Sequence, residues 1–198
     1  MDKETRFRQG SLECRAGNGK ESGRINGYAI VFDELSDNLG GFRERISPDA
    51  VRAVDFSQTV ALFNHDSSKV LGSTRSGTLV LDTDSQGVRF SLDVPATTYA
   101  ADLYEMVQRG DINGASFGFY IDEGGDSWEM GDDDMPIRTV TAIRSVPEVS
   151  VGVVFPAYPQ SSTVVQRCNE FRADRDRHAV SIATATRRRK LRLIELGA

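Results

Sequence analysis

Ser116 lies in the stretch Asn113-Gly114-Ala115-Ser116-Phe117-Gly118-Phe119, one hydroxyl among small and apolar residues. In an extended strand Phe117 and Phe119 point away from the face that carries Ser116 and Gly118. The core then takes the phenylalanines, Ser116 faces a cleft, and Gly114, Ala115 and Gly118 clear space for a substrate backbone. A glycine-weakened strand with a half-buried serine is the alternative, because a serine becomes a nucleophile only beside a base. The chain has two histidines. His178 sits among arginines, where a solvated imidazole is the natural reading. His65 follows the apolar run Val60 to Phe63 and stands between Asn64 and Asp66, at a strand end rather than in a core.

A catalytic imidazole gains from a third group that fixes its tautomer and stabilises its charged form. Glu148 interrupts the apolar segment Val146-Pro147-Glu148-Val149-Ser150-Val151, where a charged side chain must find water or a partner. A salt bridge to Arg144 or Arg138 would satisfy it equally well. Asp66 competes for the role, but adjacent residues of a strand point to opposite faces, so it is poorly placed to grip His65. The oxyanion donors are not located by sequence; the amides of Ala115 or Phe117 are the candidates. No cofactor is called for, and a single histidine outside the tail with no ligand-like cluster argues against a zinc hydrolase.

The elements that must position these residues follow from local pattern. Strands are expected at Gly27 to Phe32, Phe42 to Ile46, Thr59 to Phe63, Ile137 to Val146 and Val149 to Phe155, the last two parted at Pro147-Glu148. A further short strand falls around Phe7 to Cys14. Leu79 to Leu81 and Gly87 to Val94 should pair as a hairpin across Asp82 to Gln86. Ser47-Pro48-Asp49 starts a short helix, with a cap, a proline and an acid in order. Tyr99, Ala100, Leu103, Met106 and Val107 recur at helical spacing between Thr97 as cap and Gly110 as stop. Asp122 to Pro136 reads as a solvated hairpin loop, its Asp132-Asp133-Asp134 lacking the spaced ligands of a calcium loop. Ser161 to Arg172 and Arg187 to Leu196 are the helical candidates of the tail.

The 198 residues suit one main domain with an appended tail. Three segments are expected: a polar stretch 1–24, a main domain 25–160 and a basic, partly helical tail 161–198. Residues 1–166 hold 15 Lys and Arg against 25 Asp and Glu, a balance of −10, and residues 167–198 hold 9 against 4, a balance of +5. Such a tail either steers toward an acidic protein surface or nucleic acid, or is a solvated arginine-rich helix. The acidic main domain makes nucleic acid the weaker partner. Cys14 and Cys168 lie near opposite ends and are expected as free thiols. The apolar stretches fall far short of a bilayer span and residues 1–20 are polar, so the expected location is cytosolic, without a membrane partner.

Three motifs in order carry a resemblance: Leu62-Phe63-Asn64-His65-Asp66, then Gly114-Ala115-Ser116-Phe117-Gly118-Phe119, then Pro147-Glu148-Val149-Ser150-Val151 followed by Pro156-Ala157-Tyr158-Pro159. Together they resemble the prohead (capsid maturation) serine proteases of tailed phages, of HK97 type, over roughly residues 27–159. The resemblance implies a mainly β fold with a few helices, a small β-barrel similar to the herpesvirus assemblin proteases. It implies Ser116 as nucleophile and His65 as general base, with Glu148 at the acidic position where assemblins use a second histidine. It further implies cleavage of the major capsid protein or its scaffolding segment, and of the protease itself, inside the immature capsid in the host cytoplasm, with self-association a further expectation. A non-enzymatic scaffold or assembly protein that binds coat subunits is the alternative that composition fits equally well.

Overall fold

The computed structural model describes residues 3–9, 12–15, 23–153, 164, 166–178 and 180. Among the described residues are twelve strands, a 3-10 turn and two α-helical segments: β1 (Glu4–Gln9), β2 (Glu13–Arg15), β3 (Arg24–Val31), β4 (Arg43–Ile46), the turn (Pro48–Val51), β5 (Val60–Phe63), β6 (Asp66–Ser73), β7 (Leu79–Thr83), β8 (Gly87–Asp93), α1 (Thr98–Gln108), β9 (Gly114–Ile121), β10 (Asp126–Met130), β11 (Pro136–Val140) and β12 (Ile143–Val151), then helical residues 166–178. The strands form three sheets, in the orders β1-β9-β12-β5-β6, β10-β11-β4 and β2-β3-β8-β7. The fold is thus mainly β with helices, as expected. The closed barrel is not what the ladders build. Closure requires the edge strands of a sheet to pair, and β1 and β6 stand at opposite edges of the largest one.

Local chemistry explains most of the elements. Ser47 accepts from the Asp49 amide to start a 3-10 turn at Pro48–Val51. Helix α1 buries Ala100, Leu103 and Val107 and stops at Gly110, whose φ of 79° is left-handed. β7 and β8 pair antiparallel as the hairpin pattern predicts. Two expectations need correction. The segment taken as a solvated loop contains β10, which pairs with β11 through Trp128 and Arg138. The expected break at Pro147-Glu148 does not occur: β12 runs through it, and register shifts against β9 between Ile143 and Glu148 absorb the proline.

The main core joins faces of all these layers, with Ile25, Phe90, Leu92, Leu103, Phe119 and Val151 essentially solvent-free. A smaller cluster of Phe42, Val164 and Cys168 docks the helical residues 166–178 onto β4, and Phe171 stacks on Trp128 there. Both cysteines are free. The expected helix at Arg187 to Leu196 and the Pro156-Ala157-Tyr158-Pro159 motif lie outside the described residues. Among those residues no helix is long and apolar enough to cross a membrane.

One polar cluster lies inside this apolar frame. Arg138, fully buried, donates to Glu4, Glu44 and Asp126 at 2.6–2.9 Å, and Arg6 donates to Glu44 and Glu4. Arg167 closes the set on Asp126. Burial alone would raise the Glu44 carboxyl, but Arg6 and Arg138 outweigh it and hold it below the usual range. The cluster ties β1, β4, β10 and β11 together across two sheets. Removing one member strands buried charge, so Glu44→Ala is expected to cost about 3–5 kcal/mol, read as a lower denaturant midpoint at unchanged slope.

Candidate active site

Glu148 and Ser150 sit two apart on β12 and therefore share a face. Antiparallel pairing sets Glu148 opposite Gly118 and Ser150 opposite Ser116 of β9, and directly opposed residues point to the same side. A third strand delivers the imidazole. β5 runs parallel to β12, with Phe63 beside Val151, and turns into β6 through Asn64-His65 alone. Asn64 and His65 both have positive φ, 50° and 61°, the backbone of a tight hairpin turn that favours Asn-Gly. Histidine in the place of glycine costs roughly 1–2 kcal/mol of local strain. Two contacts to β12 hold the turn: the Asn64 amide donates to the Val151 carbonyl at 3.0 Å and the His65 amide to Ser150 Oγ at 3.1 Å.

His65 Nδ1 then lies 2.7 Å from Glu148 Oε1. Ser150 Oγ donates to Glu148 Oε2 at 2.6 Å, and Lys3 Nζ donates to Oε1 at 3.0 Å. Burial by itself would raise the Glu148 carboxyl, whose side chain is only 3 % exposed; hydrogen bonds from His65, Ser150 and Lys3 outweigh it and pull it down to about 2. The group is thus a carboxylate at neutral pH. A carboxylate accepting from Nδ1 puts the ring proton there and leaves the lone pair on Nε2, the arrangement a general base needs.

The structure brings His65 and Glu148 into contact and places Ser116 one strand away on the same face. Glu148 does not pair with Arg144 or Arg138, and Asp66 turns to the amide and hydroxyl of Ser68 instead of the imidazole. Ser116 does not face an open cleft. It is 1 % exposed, because β1 lies against β9 with Phe7 opposite Ser116, and its hydroxyl donates to the Arg6 carbonyl at 2.7 Å. Among the described residues no hydrogen bond joins Ser116 to His65. The two glycines also serve different ends from those expected. A Cβ on Gly118 would stand 2.7 Å from Glu148 Oε1, and one on Gly114 2.3 Å from the Phe7 ring. Gly118 makes room for the carboxylate, and Gly114 for β1. The amides of Ala115 and Phe117 belong to a strand paired on both edges.

Sequence reasoning missed Ser150 and Lys3. Ser150 binds both the carboxylate and the His65 backbone, and its two-residue spacing from Glu148 within an apolar run was the available signal. Lys3 gave no signal, since it meets Glu148 only through long-range pairing. His178 lies on the helical residues 166–178, exposed and remote from this cluster in sequence and element. Among the described residues no group of acids, histidines and cysteines is arranged to hold a metal.

The family described as caudovirus prohead serine protease matches residues 10–174 of the chain. Among solved structures, the bacteriophage T4 capsid assembly protease gp21 superposes with a TM-score of 0.41 at 9 % identity, covering 77 % of this chain and 99 % of that one. No curated protein matches.

The depressed Glu148 carboxyl has a consequence for stability. A carboxyl held near 2 in the folded chain against an ordinary 4.5 stabilises the fold fully above pH 4.5, and that contribution is lost as pH falls toward 2. Unfolding free energy of the native chain and of Glu148→Gln, followed from neutral pH downward, should therefore converge over that window. A difference that stays constant through it would contradict the assignment.

Proposed function

Because the chain belongs to the caudovirus prohead serine protease family, we propose that it is a serine endopeptidase that works through Ser116, His65 and Glu148 inside the immature phage capsid. Its substrates are the major capsid protein or the scaffolding segment attached to it, and the protease itself. The observation that carries the reading is the 2.7 Å contact of His65 Nδ1 with a buried, ionised Glu148, on the strand whose Ser150 directly opposes Ser116. A structural histidine has no need of a strained turn or of so costly a partner.

In the proposed reaction His65 Nε2 takes the Ser116 proton as Oγ bonds to the scissile carbonyl carbon. The developing imidazolium is stabilised by Glu148. Collapse of the tetrahedral species breaks the C–N bond, and the same proton passes from His65 to the leaving amine. Water then attacks the acyl ester, giving a proton to His65; cleavage of the ester bond returns it to Ser116 Oγ. Kinship with the herpesvirus assemblins is part of this proposal at the level of the site, with Glu148 standing where they have a second histidine. Residues 25–160 would form the catalytic unit, and the basic tail 161–198 would target the capsid interior or be removed by self-cleavage.

Co-expression with the coat protein provides the test. Ser116→Ala and His65→Gly, the latter compatible with the turn, should reduce processing by about 10⁴-fold or more, and Glu148→Gln by about 10⁴-fold. Processing that persists in either of the first two returns the chain to the role of an assembly protein. Ser150→Ala removes the hydrogen bond to the Glu148 carboxylate and the acceptor of the His65 amide, and should slow turnover by about 10–100-fold, in kcat rather than KM.

A further inference from the structure

The residues that cover Ser116 come from the start of the same chain. β1 pairs antiparallel with β9, Thr5 opposite Gly118 and Phe7 opposite Ser116. Three contacts made by β1 and the Lys3 that precedes it oppose the proposed chemistry. The Ser116 hydrogen is directed to the Arg6 carbonyl at 2.7 Å. The main-chain groups along that edge of β9 are taken by the β1 ladder. The Lys3 ammonium lies 3.0 Å from the very oxygen of Glu148 that His65 uses, so it offsets the negative charge that would stabilise an imidazolium.

β1 is also attached in a way that lets it leave. Glu4 and Arg6 bring one charge of each sign to the buried cluster. Without them Glu44 and Asp126 remain with Arg138 and Arg167, two acids with two bases, all still joined by direct ion pairs. Departure of the strand therefore leaves no net charge in the Arg138 cluster. Gly114, lacking a Cβ where the Phe7 ring lies, opens this edge to a closely approaching chain.

We propose that the edge of β9 beneath β1 is the docking surface for a substrate peptide, which adds to the sheet as an extended antiparallel strand in the place of β1, and that residues 3–7 hold the site closed until displaced. Such strand addition draws affinity from the main chain and specificity from alternate side chains. The docked peptide sets a carbonyl beside Ser116 where that of Arg6 now lies and an apolar side chain over Gly114 in the place of Phe7. On the opposite face it turns a basic side chain toward Glu44, the partner of Arg6 at 2.5 Å. The inference rests on the proteolytic reading of Ser116.

The experiment measures the rate at which a fluorophosphonate, which requires no peptide recognition, phosphonylates Ser116 in the 198-residue chain, with the site identified by mass spectrometry. If β1 is detached in fewer than about a tenth of molecules, opening it raises labelling about tenfold or more. Phe7→Pro, which removes the ring over Gly114 and fixes φ away from the extended value the strand needs, should show that rise, and a synthetic peptide of residues 3–9 added in trans should suppress it competitively. Lys3→Gln, at a partly exposed side chain, should label faster than the native chain at only a small cost in thermal stability. It keeps the proposal open to refutation should Phe7→Pro unfold. Equal labelling of Ser116 in all three forms, or no protection by the peptide, would overturn strand docking and leave the protease reading intact. Absence of labelling in every form, with hydrogen exchange showing β1 released in Phe7→Pro, would sink the protease reading and this inference with it.

Discussion

A carboxylate almost wholly removed from water has to be matched donor by donor, and the five-stranded sheet is arranged around that requirement for Glu148. An unpaired buried charge costs several kcal/mol. Four segments share the task of meeting it. The β5-β6 turn supplies the imidazole, β12 supplies the Ser150 hydroxyl, β9 supplies a glycine whose missing Cβ leaves space, and the chain before β1 supplies an ammonium. None of these is adjacent to Glu148 in sequence except Ser150. The carboxylate is thus a long-range constraint that ties register, turn geometry and strand order to one another.

The strain in the turn follows from the same demand. Asn64 is a natural residue for a left-handed turn position, whereas His65 is not. Its amide bond to Ser150 and its ring bond to Glu148 repay that cost. The buried Arg138 cluster is the counterpart on the other side of β1, where ion pairs fix the strand to β4 and β11. One face of β1 is held by charge and the other covers the serine. The strand held by these ion pairs is thus the strand that buries Ser116.

Much of this was legible in residue types. Ser116 amid glycines, a histidine closing an apolar strand and a glutamate inside an apolar run each broke a local pattern, and the structure brings the last two into contact. The helix at Thr98–Gln108 and the β7-β8 hairpin followed from periodicity and turn residues because those signals are local. What escaped depends on distant pairing. Glu4-Thr5-Arg6 falls in the polar stretch 1–24, ahead of the short strand expected around Phe7 to Cys14, and only Arg138 and Glu44, brought up from far along the chain, offset its burial. The same blindness hid β10, whose pairing with β11 rather than its composition makes it a strand. Gly114 and Gly118 do provide space, but the Phe7 ring and the Glu148 carboxylate fill it rather than a substrate backbone, a choice set by tertiary structure.

Glu148 fixes His65 with its proton on Nδ1 and its lone pair on Nε2. With only two histidines in the chain, nitrogen NMR of the imidazoles tests it directly. At mildly alkaline pH the ring of His65 should show a protonated Nδ1 with a strongly deshielded, hydrogen-bonded proton and a bare Nε2, and Glu148→Gln should abolish that signature while His178 is unchanged. A His65 ring that carries its proton on Nε2, or one indifferent to Glu148→Gln, would contradict the account.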